Sequence, residues 1–347
     1  MGRREDRAAR IAARAERSEM RKRREARKAA QSFAMGGVVP PPADPKGTED
    51  ALALYDRHGK PIQGDAVRNQ WQGCAAFLVC GGPSLKKLDL SFLKDRGVMS
   101  LGVNNVAGYA PVRAWCFSDP PEKFHHGIFF DPAIIKFVPK PKLGVKSKNR
   151  VRAKLPDGRF QWTARHVCSC PSVFAYEREG KFYPDKFFQT PFASWGVSHK
   201  HQEMRSREKV LFTFFIGLRL LHYLGVRRVY LLGVDFHMDA THGYAFGQDR
   251  TTGAQASNNN SYRVATNMLQ ELRPHLQAAG VEVYQTNKDS ALRVFDHVQL
   301  TTAIEDCRGL VPKEPWPEAA FQGWYEKKGA DGLQPLAQPT TDERGED

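Results

Sequence analysis

The chain has 347 residues, 41% hydrophobic and 11% aromatic, enough to bury a sizeable core. Its apolar runs are too short or too interrupted for a membrane span; the longest, near 210–224, is broken by Arg219 and His222. Six scattered cysteines, several inside apolar runs, argue for reduced thiols and a cytoplasmic setting rather than a disulfide framework.

The net charge of +14 is concentrated. Residues 1–30 carry 12 Lys/Arg against 5 Asp/Glu, and residues 136–165 carry 10 against one, Asp157. These two patches exceed the net charge, so the remainder is slightly acidic. Basicity confined in this way predicts a polyanionic partner, with a solubilising tail and a solvated loop as the simpler alternative.

In chain order, residues 1–35 form an Arg/Ala/Glu-rich arm with high helix propensity but no apolar stripe to dock it. Gly36-Gly37 and the prolines at 40–42 and 45 open a linker, taken to extend to residue 72. A single catalytic domain is expected over 73–312, followed by a Pro-rich, disordered tail over 313–347. Within the domain, strands are predicted at 75–80, 98–103, 113–117, 134–138, 227–234 and 281–285. Helices are predicted at 84–95, 206–224 and 262–279. Gly225 and Gly280 each stand between a helix and a strand, as C-caps do. This alternation predicts a Rossmann-like, doubly wound, mostly parallel sheet of the α/β class.

The candidate site residues fall at strand ends. The run Phe77-Leu-Val-Cys80 stops at Gly81-Gly82-Pro83-Ser84, a turn that lets backbone approach a ligand and starts a helix suited to an anion. Asn104 and Asn105 follow the next strand, as donors and acceptors for a nucleotide or as ordinary turn residues. Asp119 follows the third, as a ligand group or a helix cap. Asp235, His237, Asp239, His242 and Tyr244 crowd the stretch after 227–234, offering a base for an incoming hydroxyl and donors for a departing phosphate. Their spacing matches no established metal-ligand motif. Asn258–Tyr262 is taken as a loop capping the 262–279 helix, and Thr286–Ser290 as another loop at the ligand edge.

Gly-Gly-Pro-Ser-Leu (81–85), Asn104, Tyr-Leu-Leu-Gly-Val-Asp-Phe (230–236), Tyr-Ala-Phe (244–246) and Ser290 together resemble the bacterial sialyltransferases of glycosyltransferase family 42. They equally resemble the motility accessory factors and the 6-hydroxymethylpterin diphosphokinases. The resemblance spans about 75–300 in motif order. It implies that Gly82, Ser84 and Asn104, with Gly81, Asn105 and Asp235 beside them, hold the nucleotide, and that Tyr244 and His237 steady the leaving phosphate. The family's asparagine in the glycine turn is Gly81 here. Its general-base histidine is replaced by Tyr262, Arg263 or Thr266, which leaves His242 or Asp119 for that role.

These readings predict a glycosyltransferase using a nucleotide-sugar donor, with a divalent metal requirement left open. The charge pattern suggests hydroxymethylated DNA as acceptor, held through 1–32 and 136–165, where Lys and Arg alternate with Phe137, Phe160 and Trp162. The alternatives are a surface-glycan sialyltransferase, an ATP- and Mg²⁺-dependent pterin diphosphokinase, and a non-catalytic nucleic-acid-binding protein.

Overall fold

A computed structural model describes residues 50–62, 67–95, 97–124, 126–143, 150–154, 160–196, 212–238, 243–246 and 252–309. The expected arm 1–35 and tail 313–347 lie outside the described residues. Strands in chain order are β1 (Leu54–Tyr55), β2 (Ala75–Val79), β3 (Met99–Val103), β4 (Ala114–Cys116), β5 (Ile135–Pro139), β6 (Arg150–Lys154), β7 (Phe160–His166), β8 (Val173–Tyr176), β9 (Arg178–Glu179), β10 (Ser194–Trp195), β11 (Arg228–Leu232), β12 (Glu282–Gln285) and β13 (Asp296–His297). Helices are α1 (His126–Phe130), α2 (Thr213–Tyr223), α3 (Thr252–Ala278) and α4 (Leu300–Gly309).

Nine strands make one sheet in the order β1-β8-β5-β4-β3-β2-β11-β12-β13. All neighbours pair parallel except the edge strand β1, which runs antiparallel to β8. The chain winds outward from β2 through β5, then returns to lay β11 on the other flank of β2. This is the predicted α/β doubly wound sheet, with its topological switch between β2 and β11.

Alternation along β2 explains the layers. Ala75, Phe77 and Val79 join the apolar cluster that includes Ala303 and Cys307 of α4, while Ala76 and Leu78 join the cluster holding α2 and α3. Both faces are therefore covered, and the central strands read as unbroken apolar runs. α4 is fixed by polar contacts too: Arg228 Nη1 and Tyr230 Oη donate to the Asp306 carboxylate at 3.0 and 2.7 Å. Gly225 and Gly280, at φ +94 and +71, end their helices with paired bonds back into the last turn. For Gly225 these are its own N–H to the His222 carbonyl and the Val226 N–H to that of Leu221; Gly280 and Val281 do the same on Gln277 and Leu276.

Several elements differ from expectation. The 84–95 helix is two 3₁₀ turns, Pro83–Lys87 and Ser91–Lys94. Asp89 takes both the N–H and the hydroxyl hydrogen of Ser91, which restarts the chain after Leu88. α3 starts ten residues before the expected 262, so Asn258–Tyr262 is helical and caps nothing. The predicted 206–224 helix is described from Thr213 onward.

Nor is 50–72 a linker. Its strand β1 edges the sheet, and Leu52, Leu54, Val67 and Trp71 sit in the core. What draws this segment in is a buried ionic group. Asp50 accepts from Arg219 Nη2 at 2.7 Å and lies 2.5 Å from His222 Nδ1. Arg219, fully buried, also donates to the Phe188 and Thr190 carbonyls.

The basic patch at 136–165 is partly interior. Lys136 is fully buried, its ammonium donating to the carbonyls of Asp131, Ile134 and Pro171, and burial pushes its pKa down to about 8. Phe137, expected to stack on bases, is core. Lys140 sits 2.7 Å from the Glu177 carboxylate and 3.6 Å over the Tyr55 ring. Within the patch, β6 and β7 pair antiparallel, with Arg152 opposite Trp162 and Lys154 opposite Phe160.

The Asp50 group makes stability depend on pH. Burial pushes the Asp50 carboxyl up, but the His222 hydrogen bond and the Arg219 charge overcome this and hold its pKa below the ordinary value. Burial likewise pushes His222 below its ordinary value. Both groups take up protons more readily unfolded, so stability declines as pH falls below roughly 6.5 and again through the carboxylate range near about 4. Thermal melts across pH 4–8 should show this decline. Asp50→Asn should cost about 3–5 kcal/mol at neutral pH, because it strands the Arg219 charge in the core.

Candidate functional site

The carboxyl ends of β2, β3, β4 and β11 open into one cleft of about 960 Å³ including its mouth. Gly81, Gly82, Asn104, Asn105, Asp119, Asp235, His237 and Tyr244 all line it. Of the remaining predicted residues, Ser84 is adjacent but outside the lining, and His242 and Asp239 fall outside the described residues. Strands 151 positions apart in sequence thus converge, as residues at a switch point must.

The glycine turn works differently from expectation. Gly82 N–H donates to the Gly233 carbonyl at 2.8 Å, and Ser84 N–H donates to Asp235 Oδ2 at 2.8 Å. A Cβ on Gly82 would lie 2.4 Å from Asp235 Oδ2 and 2.5 Å from the Gly233 oxygen. Gly82 is therefore required so that two strand ends can touch, and the Ser84 amide is already occupied within the protein. The other Asp235 oxygen accepts from Asn287 Nδ2 at 2.7 Å. A carboxylate accepting on both oxygens is a brace between β2, β11 and the loop after β12. Ser290 reinforces it, its hydroxyl donating to the Val234 carbonyl at 2.6 Å.

Asn104 has the opposite character. It stands at φ +55, held there by the Trp115 indole N–H donating to its carbonyl at 2.7 Å. Its side-chain Oδ1 is buried with no hydrogen-bond partner among the described residues. A buried acceptor left unpaired costs free energy unless something donates to it, and this one belongs to a residue lining the cleft. The Ser84 hydroxyl is also buried and unpaired.

Tyr244 reaches the site through a backbone tie, Ala245 N–H to the Gly81 carbonyl at 3.0 Å. Its ring lies parallel to that of Phe246, 5.4 Å away, and Phe246 meets Tyr109 at 6.0 Å. Phe246 fills the space a side chain at Gly81 would need, at 2.9 Å from the Cβ position. A second aromatic group, Phe236 stacked on Tyr262 at 5.0 Å, lines the cleft from α3. Phe212, Thr213 and Phe214 bring in the amino end of α2, which has no acidic residue in its first turn and no side-chain cap.

Asp119 is half exposed and 3.4 Å from Lys123. Among the described residues it ties no two strand ends together, in contrast to Asp235. Cys80 lines the cleft too, but burial, then the nearby Asp235 charge, push its pKa up to about 12, so it stays a thiol. Among the described residues, no group of three or more His, Cys, Asp or Glu is arranged to hold a metal ion, and no helix is long and apolar enough to cross a membrane.

Sequence reasoning missed Asn259, whose amide pairs with both backbone groups of Met238 at 2.9 and 2.7 Å. The Asn-Asn-Asn run was visible, but asparagine's low helix propensity made it look like a loop. It also missed the α2 terminus as a cleft wall, since that segment carries no motif; Tyr262, noted in place of the family's histidine, does line the cleft.

No protein-family model matches the chain, and no curated protein matches it. Among solved structures it is similar to the sialyltransferase CstII from Campylobacter jejuni in complex with the substrate analogue CMP-3FNeuAc, at 14% identity over 66% of this chain and 88% of that one, TM-score 0.36. The same enzyme in complex with cytidine-5'-monophosphate gives 13% identity over 67% and 87%, TM-score 0.33. The sialyltransferase CST-II in complex with a trisaccharide acceptor and CMP gives 14% over 66% and 87%, TM-score 0.32. Overlaps this loose assign neither family nor activity.

Gly82→Ala tests the brace. Its methyl group has no room against Asp235 and Gly233, so the variant should lose about 1–3 kcal/mol in chemical denaturation even without ligand. Unchanged stability would return Gly82 to a purely ligand-facing role.

Proposed function

We propose that the chain is a glycosyltransferase that moves a sugar from a nucleotide-activated donor to an acceptor hydroxyl. The observation that carries this reading is the unpaired Asn104 Oδ1 in a switch-point cleft whose other groups suit phosphate release. The sequence resemblance over 75–300 points the same way. Asn104 and Asn105 would hold the nucleotide. The Tyr244 hydroxyl, an N–H of His237 and the amino end of α2 would meet the charge that develops on the leaving phosphate.

In the reaction the acceptor oxygen bonds to the anomeric carbon as the bond from that carbon to the phosphate oxygen breaks. The acceptor's proton goes to Asp119 or His242, and the phosphate leaves as the nucleotide. Asp119 is favoured among the described residues, because it lines the cleft half exposed, whereas Asp235 already ties Ser84 to Asn287. An ATP–Mg²⁺ diphosphokinase would need carboxylates such as Asp235 and Asp119 to hold the metal. The DNA acceptor suggested by the charge pattern draws no support from Lys136 and Phe137, both interior. The acceptor is therefore kept at the level of a hydroxyl compound.

CMP-, UDP-, GDP- and ADP-sugars and ATP should be compared by thermal shift and calorimetry. One nucleotide-sugar is expected to stabilise the protein, and Asn104→Ala should weaken it at least tenfold, about 1.4 kcal/mol. Asp119→Asn should keep donor affinity and lower turnover by about 10²-fold or more. Stabilisation by ATP alone would sink the transferase reading.

A further inference from the structure

The chain makes a strained elbow directly after β11. Phe236 sits at φ +53, a left-handed conformation that a bulky side chain rarely adopts. Such a conformation persists only where its surroundings over-determine it. On the near side, the Asp235 carboxylate is held by Ser84 N–H and Asn287, and its backbone carbonyl accepts from Ala291 N–H at 2.9 Å. On the far side, α3 supplies the anchor: Asn259 Oδ1 accepts from Met238 N–H at 2.9 Å, and Asn259 Nδ2 donates to the Met238 carbonyl at 2.7 Å. The Phe236 ring is stacked on Tyr262 one turn further along α3. Between these anchors stands His237, exposed and lining the cleft.

We propose that Asn259 is a positioning residue: it clamps the Phe236–Met238 elbow so that the His237 imidazole is held at the donor's leaving phosphate. What His237 does there rests on the glycosyltransferase reading; the clamp itself does not. The residue type follows from the geometry. One carboxamide presents an acceptor and a donor side by side, matching the N–H and carbonyl of a single residue. Aspartate is nearly the same shape but sets a carboxylate oxygen against the Met238 carbonyl, and alanine offers neither group. Asparagine is also a poor choice for a helix interior, so its place in α3 is explained by this tertiary contact. Its neighbour Asn260 points elsewhere, accepting from Arg263 Nη2 at 3.0 Å on the exposed side.

The test uses the full chain with Asn259→Asp, Asn259→Ala, His237→Ala, the double variant of Asn259→Asp with His237→Ala, and Asn260→Asp as control. With the donor identified in the nucleotide-sugar screen, Asn259→Asp should lower kcat at least tenfold while the donor KM stays within twofold. The double variant should lose no more than His237→Ala alone, since both changes remove one function. Asn260→Asp should behave as wild type. Hydrogen exchange of the Met238 amide should be protected in the wild type and at least tenfold faster in both Asn259 variants, with a shift in the His237 ring resonances. An unprotected Met238 amide in the wild type, wild-type kcat in Asn259→Asp, or full additivity in the double variant would each overturn the proposal. If the wild type turns over no nucleotide-sugar, the transferase reading fails on its own, and Met238 protection with the His237 resonances still decides the clamp.

Discussion

The structure depends on one contact between strand ends. At the switch between β2 and β11, the backbones of Gly82 and Gly233 touch, and the Asp235 carboxylate bridges Ser84 N–H to Asn287. Neither glycine could carry a side chain: a Cβ on Gly233 would lie 2.2 Å from the Cys80 carbonyl oxygen. Parallel strands carry unpaired polar groups beyond their last ladder bond, and those groups must be satisfied or solvated. Here they satisfy one another. The brace fixes the relative height of the two strands, and the Gly81 carbonyl then captures the segment bearing Tyr244.

This brace decides which residues are left for chemistry. Asp235 accepts Ser84 N–H on one oxygen and Asn287 Nδ2 on the other, so it braces the two strand ends while also lining the cleft. The groups with capacity to spare are Asn104, whose Oδ1 is unpaired, and Asp119, half exposed beside Lys123. Two non-glycine residues with positive φ, Asn104 and Phe236, flank the same cleft. Each is held by a specific tertiary contact, the Trp115 indole for one and the α3 carboxamide clamp for the other. A left-handed backbone beside a cleft, secured from behind, is the pattern expected where precise placement of side chains matters.

Charge tells a related story. Lys136, counted in the basic patch, and Arg219, a break in an apolar run, are both fully buried, where they neutralise carbonyl dipoles or a carboxylate. Arg219 draws Asp50 into the core and with it the segment up to Trp71, extending the fold beyond the apolar pattern that announces it. The same group sets the sign of the acid sensitivity: burial holds His222 below its ordinary pKa, while the His222 hydrogen bond and the Arg219 charge, against burial, hold Asp50 below its own.

The wound parallel sheet is written in the amino-acid pattern. Six apolar runs ending in small or polar residues, with glycine stops at 225 and 280, admit few other arrangements, because such runs need cover on both faces. The pattern also located the cleft, since a doubly wound sheet must bring the ends of its central strands together. The partners of the residues there emerge when distant elements pack together. Whether Asp235 binds a ligand or braces two strands depends on donors at Ser84 and Asn287, which are remote in sequence. Whether Asn259 sits in a loop or ties α3 to the segment after β11 depends on Met238 lying opposite. Local pattern reports which face of an element is buried; it carries no record of which hydrogen-bonding group from another element arrives to meet it.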